Sequence, residues 1–180
     1  AEGIDASQDL TVSSTTSRVN VSSSGISAGT VRLLSSLALT NSSPITSRGI
    51  LEFASSTGAA TISGNSSAAG NLTVRGTAVT VNGNQTTTSS GNITISPSTG
   101  YAGSGTLNSA GTLTISGGTQ VIPTGNLRAS GNITLSGSGQ VWFSGVTVSS
   151  MAGDIDITAG PTAGNAIQVS NSAAVSANTG

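Results

Sequence analysis

The sequence predicts an all-β fold: a right-handed parallel β-helix of about eight coils, 20–22 residues and three short strands per coil. Three observations predict it. First, one short apolar–polar–apolar unit recurs eight times. The copies are Asp9-Leu10-Thr11-Val12, Thr30-Val31-Arg32-Leu33, Ile50-Leu51-Glu52-Phe53, Asn71-Leu72-Thr73-Val74, Asn92-Ile93-Thr94-Ile95, Thr112-Leu113-Thr114-Ile115, Asn132-Ile133-Thr134-Leu135 and Asp154-Ile155-Asp156-Ile157, and their first positions step by 21, 20, 21, 21, 20, 20 and 22. A fixed period near twenty marks a solenoid, in which each repeat touches only its neighbours. Second, every copy but the first follows a glycine, so each strand starts at a corner. Third, only 6% of residues are charged, while Ser and Thr together make up roughly a third of the chain. That composition fits a disordered linker or a β-solenoid, and disorder does not place Leu, Ile and Val in phase.

Residues 111–130 show one coil. Gly111 turns the chain, then Leu113 and Ile115 point one way while Thr112, Thr114 and Ser116 point the other, the alternation of a half-buried strand. Gly117-Gly118 signals the next turn, because glycine accepts positive φ without steric cost. Gln120-Val121-Ile122 makes a second strand, and Leu127 with Ala129 a third after Gly125. In the other coils the second strands carry Val19 and Val21, Leu37 and Leu39, Val79 and Val81, Tyr101, and Val141 with Phe143. The third strands carry Ile26, Ile45, Leu107, and Val146 with Val148. Pro161 to Asn165 reads as a larger loop.

A lone coil cannot bury its few apolar side chains. Stacked about 4.8 Å from the next, it pairs every strand above and below. Leu10, Val31, Leu51, Leu72, Ile93, Leu113, Ile133 and Ile155 then form one interior ladder, and Val12, Leu33, Phe53, Val74, Ile95, Ile115, Leu135 and Ile157 a second. Phe53 is bulky for its ladder and requires a smaller neighbour, Ala54, Ala59 or Ala60. The outward row places Arg32 beside Glu52, a surface ion pair. Right-handedness follows from the rule for crossovers between parallel strands.

Composition also excludes functions. The net charge is −1, with five Arg and no Lys, His or Cys. No basic stripe exists to neutralise phosphates and no aromatic platform to stack bases, so nucleic acid is not an expected partner. No apolar run approaches the eighteen or so residues of a membrane span. Without His, Lys or Cys there is no ready base or nucleophile, and the chain is expected not to be an enzyme and to need no cofactor. The six acidic residues include one close pair, Asp154 and Asp156, on a shared strand face. A paired-carboxylate glycosidase could use such a pair, but a solvated strand edge explains it as well. Two carboxylates fall short of the six to eight oxygens of a calcium site, so no metal site is expected.

Seven Asn-x-Ser/Thr sequons begin at Asn20, Asn41, Asn65, Asn71, Asn84, Asn92 and Asn132. Asn71, Asn92 and Asn132 follow corner glycines, where asparagine tolerates left-handed backbone; Asn41, Asn65 and Asn84 read as the better loop acceptors for a glycan. Trp142 and Tyr101 are the aromatic candidates for glycan contact, with Trp142 facing out by alternation.

The units Gly91-Asn92-Ile93-Thr94-Ile95, Gly111-Thr112-Leu113-Thr114-Ile115 and Gly131-Asn132-Ile133-Thr134-Leu135 resemble the shaft repeats of filamentous haemagglutinin-like exoproteins, best over residues 70–160. That family comprises secreted adhesins and contact-dependent inhibition sticks of two-partner secretion. The resemblance implies a rod that folds outside the cell; the family's Asn-Pro-Asn-type secretion motifs are missing, so residues 1–180 correspond to shaft. The expectation is a non-enzymatic structural segment of a secreted cell-surface adhesin or fibre. Its expected partners are further coils or copies of itself stacked end to end, with surface glycans or receptors as further candidates. The alternative is a carbohydrate-active β-helix, such as a polysaccharide lyase or a tailspike-like glycan-binding protein.

Overall fold

The computed structural model describes residues 2–160, 166–170 and 172–178; the proposed loop at Pro161 to Asn165 lies outside them. The chain is a right-handed parallel β-solenoid of about seven turns with three strands per turn. The eight sequence copies become eight first-face strands, from Leu10–Ser14 to Ile155–Ala159, with seven steps between them. At about 4.8 Å per step the rod is about 34 Å long. The third face carries nine strands, from Ile4–Asp5 to Ala174–Ala177.

Register follows the repeat residue for residue. Leu72 pairs with Leu51 below and Ile93 above, Leu113 with Ile93 and Ile133, and Ile133 with Ile155. The physical reason is the two-residue side-chain period. A one-residue slip would turn both apolar ladders to solvent. Both ladders are buried from Val31 to Leu135, while Leu10, Val12, Ile155 and Ile157 on the end rungs are half-buried and pack against the same core. Each fully buried Leu, Ile or Phe contributes about 1.5–3 kcal/mol, and the ladders form one continuous cluster. Phe53 is fully buried, and the small residue on the second face of its coil is Ala60, also buried; Ala54 faces outward and Ala59 is exposed.

The second face departs from expectation in two places. Leu37 does not enter the core. The strand is Leu39–Asn41, which puts Leu39 and Asn41 inside and leaves Leu37 46% exposed in the preceding bend. The corner between first and second faces is also not always a turn. Leu72–Val81 and Ile93–Gly103 run through it as single strands, with a register shift between Gly76 and Ala78. A bulge bends a strand without ending it. Where a turn is needed, Gly117 and Gly118 supply φ of 115° and 75°.

Candidate functional site

The most elaborated chemistry in this chain is the polar apparatus that joins one coil to the next. At the corner between third and first faces, the side-chain oxygen of one coil accepts the backbone N–H of the next. Asp9 Oδ1 accepts from Thr30 N at 2.8 Å, Asn71 Oδ1 from Asn92 N at 3.0 Å, Asn92 Oδ1 from Thr112 N at 2.8 Å and Asn132 Oδ1 from Asp154 N at 3.1 Å. The corner between second and third faces repeats the device: Asn65 Oδ1 accepts from Asn84 N, Asn84 Oδ1 from Thr106 N and Asn126 Oδ1 from Thr147 N. An asparagine side chain mimics a backbone carbonyl, so the strand ladder continues around the bend. This corrects the reading of Asn71, Asn92 and Asn132 as left-handed corners. Among the described residues, positive φ outside glycine occurs only at Ser89, Ser90 and Ser172.

A second column runs inside. The third-face positions Ala28, Ser47, Ala68, Thr87, Ser109, Ala129 and Ser150 stand in register or in the same column, all small and all buried. Ser47 Oγ donates to Gly29 O at 2.9 Å and Ile50 O at 2.8 Å. Ser109 Oγ donates to Thr112 O at 2.7 Å and Gly91 O at 3.1 Å, and Ser150 Oγ to Gly131 O at 2.9 Å. Each hydroxyl, with one proton to share, thus spans the corner and finds its own partner there, as buried polar groups require; Ile50 O, Thr112 O and Gly91 O also accept the backbone N–H of Val31, Ile93 and Gly111. The sequence signal was a small residue placed one to four positions before the corner glycine, two positions in four of the seven coils. Alternation alone assigned these hydroxyls no role.

The sequons divide by burial. Asn41 is fully buried, donates from Nδ2 to Ser43 O at 2.9 Å and accepts from Ser43 N at 3.3 Å, so the folded rod offers no glycan acceptor there. Its loop assignment fails because Asn41 occupies an inward strand position. Asn65 and Asn84 are exposed, as the sequence implied, and engage the protein through Oδ1.

The remaining candidates are dispersed. Asp154 and Asp156 are both exposed on the last first-face rung; Asp156 Oδ1 accepts a bond from Thr158 Oγ1 at 3.4 Å. Among the described residues no three His, Cys, Asp or Glu converge on a metal-sized site. Arg32 and Glu52 pair at 3.4 Å on adjacent coils, a half-exposed contact worth about 0–1 kcal/mol. Trp142 lies on the outer side of the second face, half-buried, with its indole N–H donated to Ser170 Oγ at 3.1 Å. Tyr101 cannot meet an external glycan: it is buried, and burial pushes its phenol pKa well above the usual value. Its hydroxyl has no protein partner, and neither do the buried Ser66 Oγ and Gln85 Oε1 on adjacent third-face rungs. No helix among the described residues is long and apolar enough to cross a membrane.

No family model, curated protein or solved structure matches this chain.

Proposed function

We propose that the chain is a non-enzymatic shaft segment of a secreted bacterial surface adhesin or fibre, of the filamentous haemagglutinin-like, two-partner secretion type. The observation that carries this reading is the continuity of the coil-to-coil bonding. Strand pairs on three faces, side-chain acceptors at two corners and an internal hydroxyl column tie successive coils together. Such an object transmits position along its axis. Each folded coil also presents a template for the next, which suits a chain that folds outside the cell as it emerges.

Its natural partners on this reading are more coils, in the same polypeptide or in a second copy. Val169 and Val175 are exposed on the last described rungs, and a further coil in register would cover them. Asn65 and Asn84 are the positions at which a glycan would be attached, and Asn41 is not; mass spectrometry of protein from the native host reads this directly.

The role is tested by two measurements. Immunogold labelling of intact source cells is expected to mark the outer surface; label confined to the cytoplasm overturns the reading. Incubation with acidic and neutral polysaccharides is expected to release no product. Sustained release that is lost in Asp154→Asn and Asp156→Asn variants establishes the carbohydrate-active alternative instead.

A further inference from the structure

An elongated groove follows the rod axis where the first face bends toward the second. Leu34 and Ala54 stand in register along it, and Arg75 follows on the next coil. Thr15, Ser36 and Ser56 also line it. The groove has a volume of about 700 Å³. It crosses four coils, so it extends for three steps, about 14 Å. Its lining combines a small apolar strip, a column of hydroxyls and a single cation.

One of these groups is unspent. Arg75 is exposed and makes no ion pair among the described residues; Glu52, two positions from Ala54 on the same strand, is already held by Arg32. Thr15 and Ser56 are exposed and present their hydroxyls to the groove, whereas Ser36 Oγ is shielded from solvent and out of a ligand's reach. A guanidinium is the preferred group for bidentate recognition of a carboxylate.

The chemistry of the occupant follows by comparison. A peptide that binds by strand addition lies along a free sheet edge; of the four first-face strands here only Leu10–Ser14 has one, and a strand added there would run across the rod axis, not along the groove. A nucleic acid needs several cations and stacking surfaces, and the groove offers one cation and no aromatic ring. A short saccharide needs hydroxyl partners, an apolar strip for its C–H face and, if acidic, one cation. We infer that this groove binds a short carboxylate-bearing saccharide, with its acid on Arg75, ring hydroxyls on Thr15 and Ser56, and its C–H face over Leu34 and Ala54. The inference does not depend on the shaft role, since a rod of any purpose can carry the groove.

The test is calorimetric titration of the intact chain with trigalacturonate, with neutral galactotriose and with a sulfated galactotriose. Saturable binding of the carboxylated trimer is expected, with affinity falling as salt rises. The neutral trimer is expected to bind about tenfold more weakly, the loss of one charge-assisted pair. Arg75→Gln should bring the carboxylated trimer down to the neutral level, and Ala54→Gln, which fills the groove without changing charge, should weaken both. Arg128→Gln, an exposed cation on the third face, should change nothing. Circular dichroism of each variant confirms that the rod is folded. No saturable binding by folded protein, an Arg75→Gln variant that binds like the parent, an Ala54→Gln variant that binds like the parent, or preference for the sulfated trimer each overturns the assignment.

Discussion

If successive coils stack as a one-dimensional array, energetic coupling between core residues must be confined to neighbouring rungs. Leu113 and Ile133 are adjacent in the first ladder and both fully buried. Leu51 is in the same ladder, but Leu72 and Ile93 intervene, which puts it three steps or about 14 Å from Leu113. Each truncation to alanine removes most of a buried side chain and costs about 2–5 kcal/mol. Against a total stability of about 5–15 kcal/mol for a typical domain, single variants remain measurable and doubles sit near the limit. The double variant Leu113→Ala/Ile133→Ala should therefore show a coupling energy of about 0.5–3 kcal/mol, because the two cavities merge. Leu51→Ala/Leu113→Ala should be additive to within about 0.3–0.5 kcal/mol, as for sites beyond about 7–10 Å. Urea unfolding followed by far-ultraviolet circular dichroism reads the whole rod. Trp142, the single tryptophan, reports by fluorescence on the coil that contains Ile133. The reasoning fails if the remote pair couples as strongly as the adjacent pair.

Three further outcomes are expected. Asn92→Ala leaves Thr112 N and Thr112 Oγ1 without their acceptor and should lower stability by about 1 kcal/mol per lost bond; an unchanged urea midpoint would show that the side-chain ladder is incidental. Gly105→Ala places a methyl group 2.1 Å from Gly83 O and should cost about 1–3 kcal/mol or more through overpacking, whereas Gly25→Ala meets nothing nearer than 3.9 Å and should be silent in the same melt. Tyr101 ionises less readily folded than unfolded, so its contribution is intact below pH 10 and declines as pH rises above it, where only the unfolded chain loses the proton; Tyr101→Phe should abolish that part of the alkaline loss and leave neutral-pH stability equal or higher, and a marked drop at pH 7 would reveal a hydrogen-bond partner for the hydroxyl.

The first face was legible because its signal is redundant. Eight copies of an alternating apolar pair at one period leave a single register that buries them all. The second and third faces were less so, because burial there is not confined to apolar residues. Asn41, Ser66, Gln85 and the Ser47–Ser109 column all point inward, and a hydropathy pattern assigns such residues to the surface. Leu37 misled in the opposite direction: it is apolar and in phase with buried Leu39 two residues on, but it lies in a bend before the strand begins. The asparagines were recognised as corner residues for the wrong reason, since their side chains extend the hydrogen-bond ladder while the backbone stays on the ordinary side of φ. Of the groove, only Arg75 and the serines were visible as letters. Their convergence depends on how the corner between two faces overhangs, which the repeat period does not encode.

Ser66 and Gln85 break an otherwise apolar column that runs from Ile26 and Ile45 to Leu107 and Leu127. A perfectly uniform stack has no way to count its own layers: skipping one while the chain winds up would look locally correct. The two odd members act as a keyway. If the coil of Ser66 is missed, Gln85 lands on Ile45 and its amide loses the carbonyl of Gly64, keeping only that of Gly83 on its own coil, so the cost of the error falls at the point where it occurs.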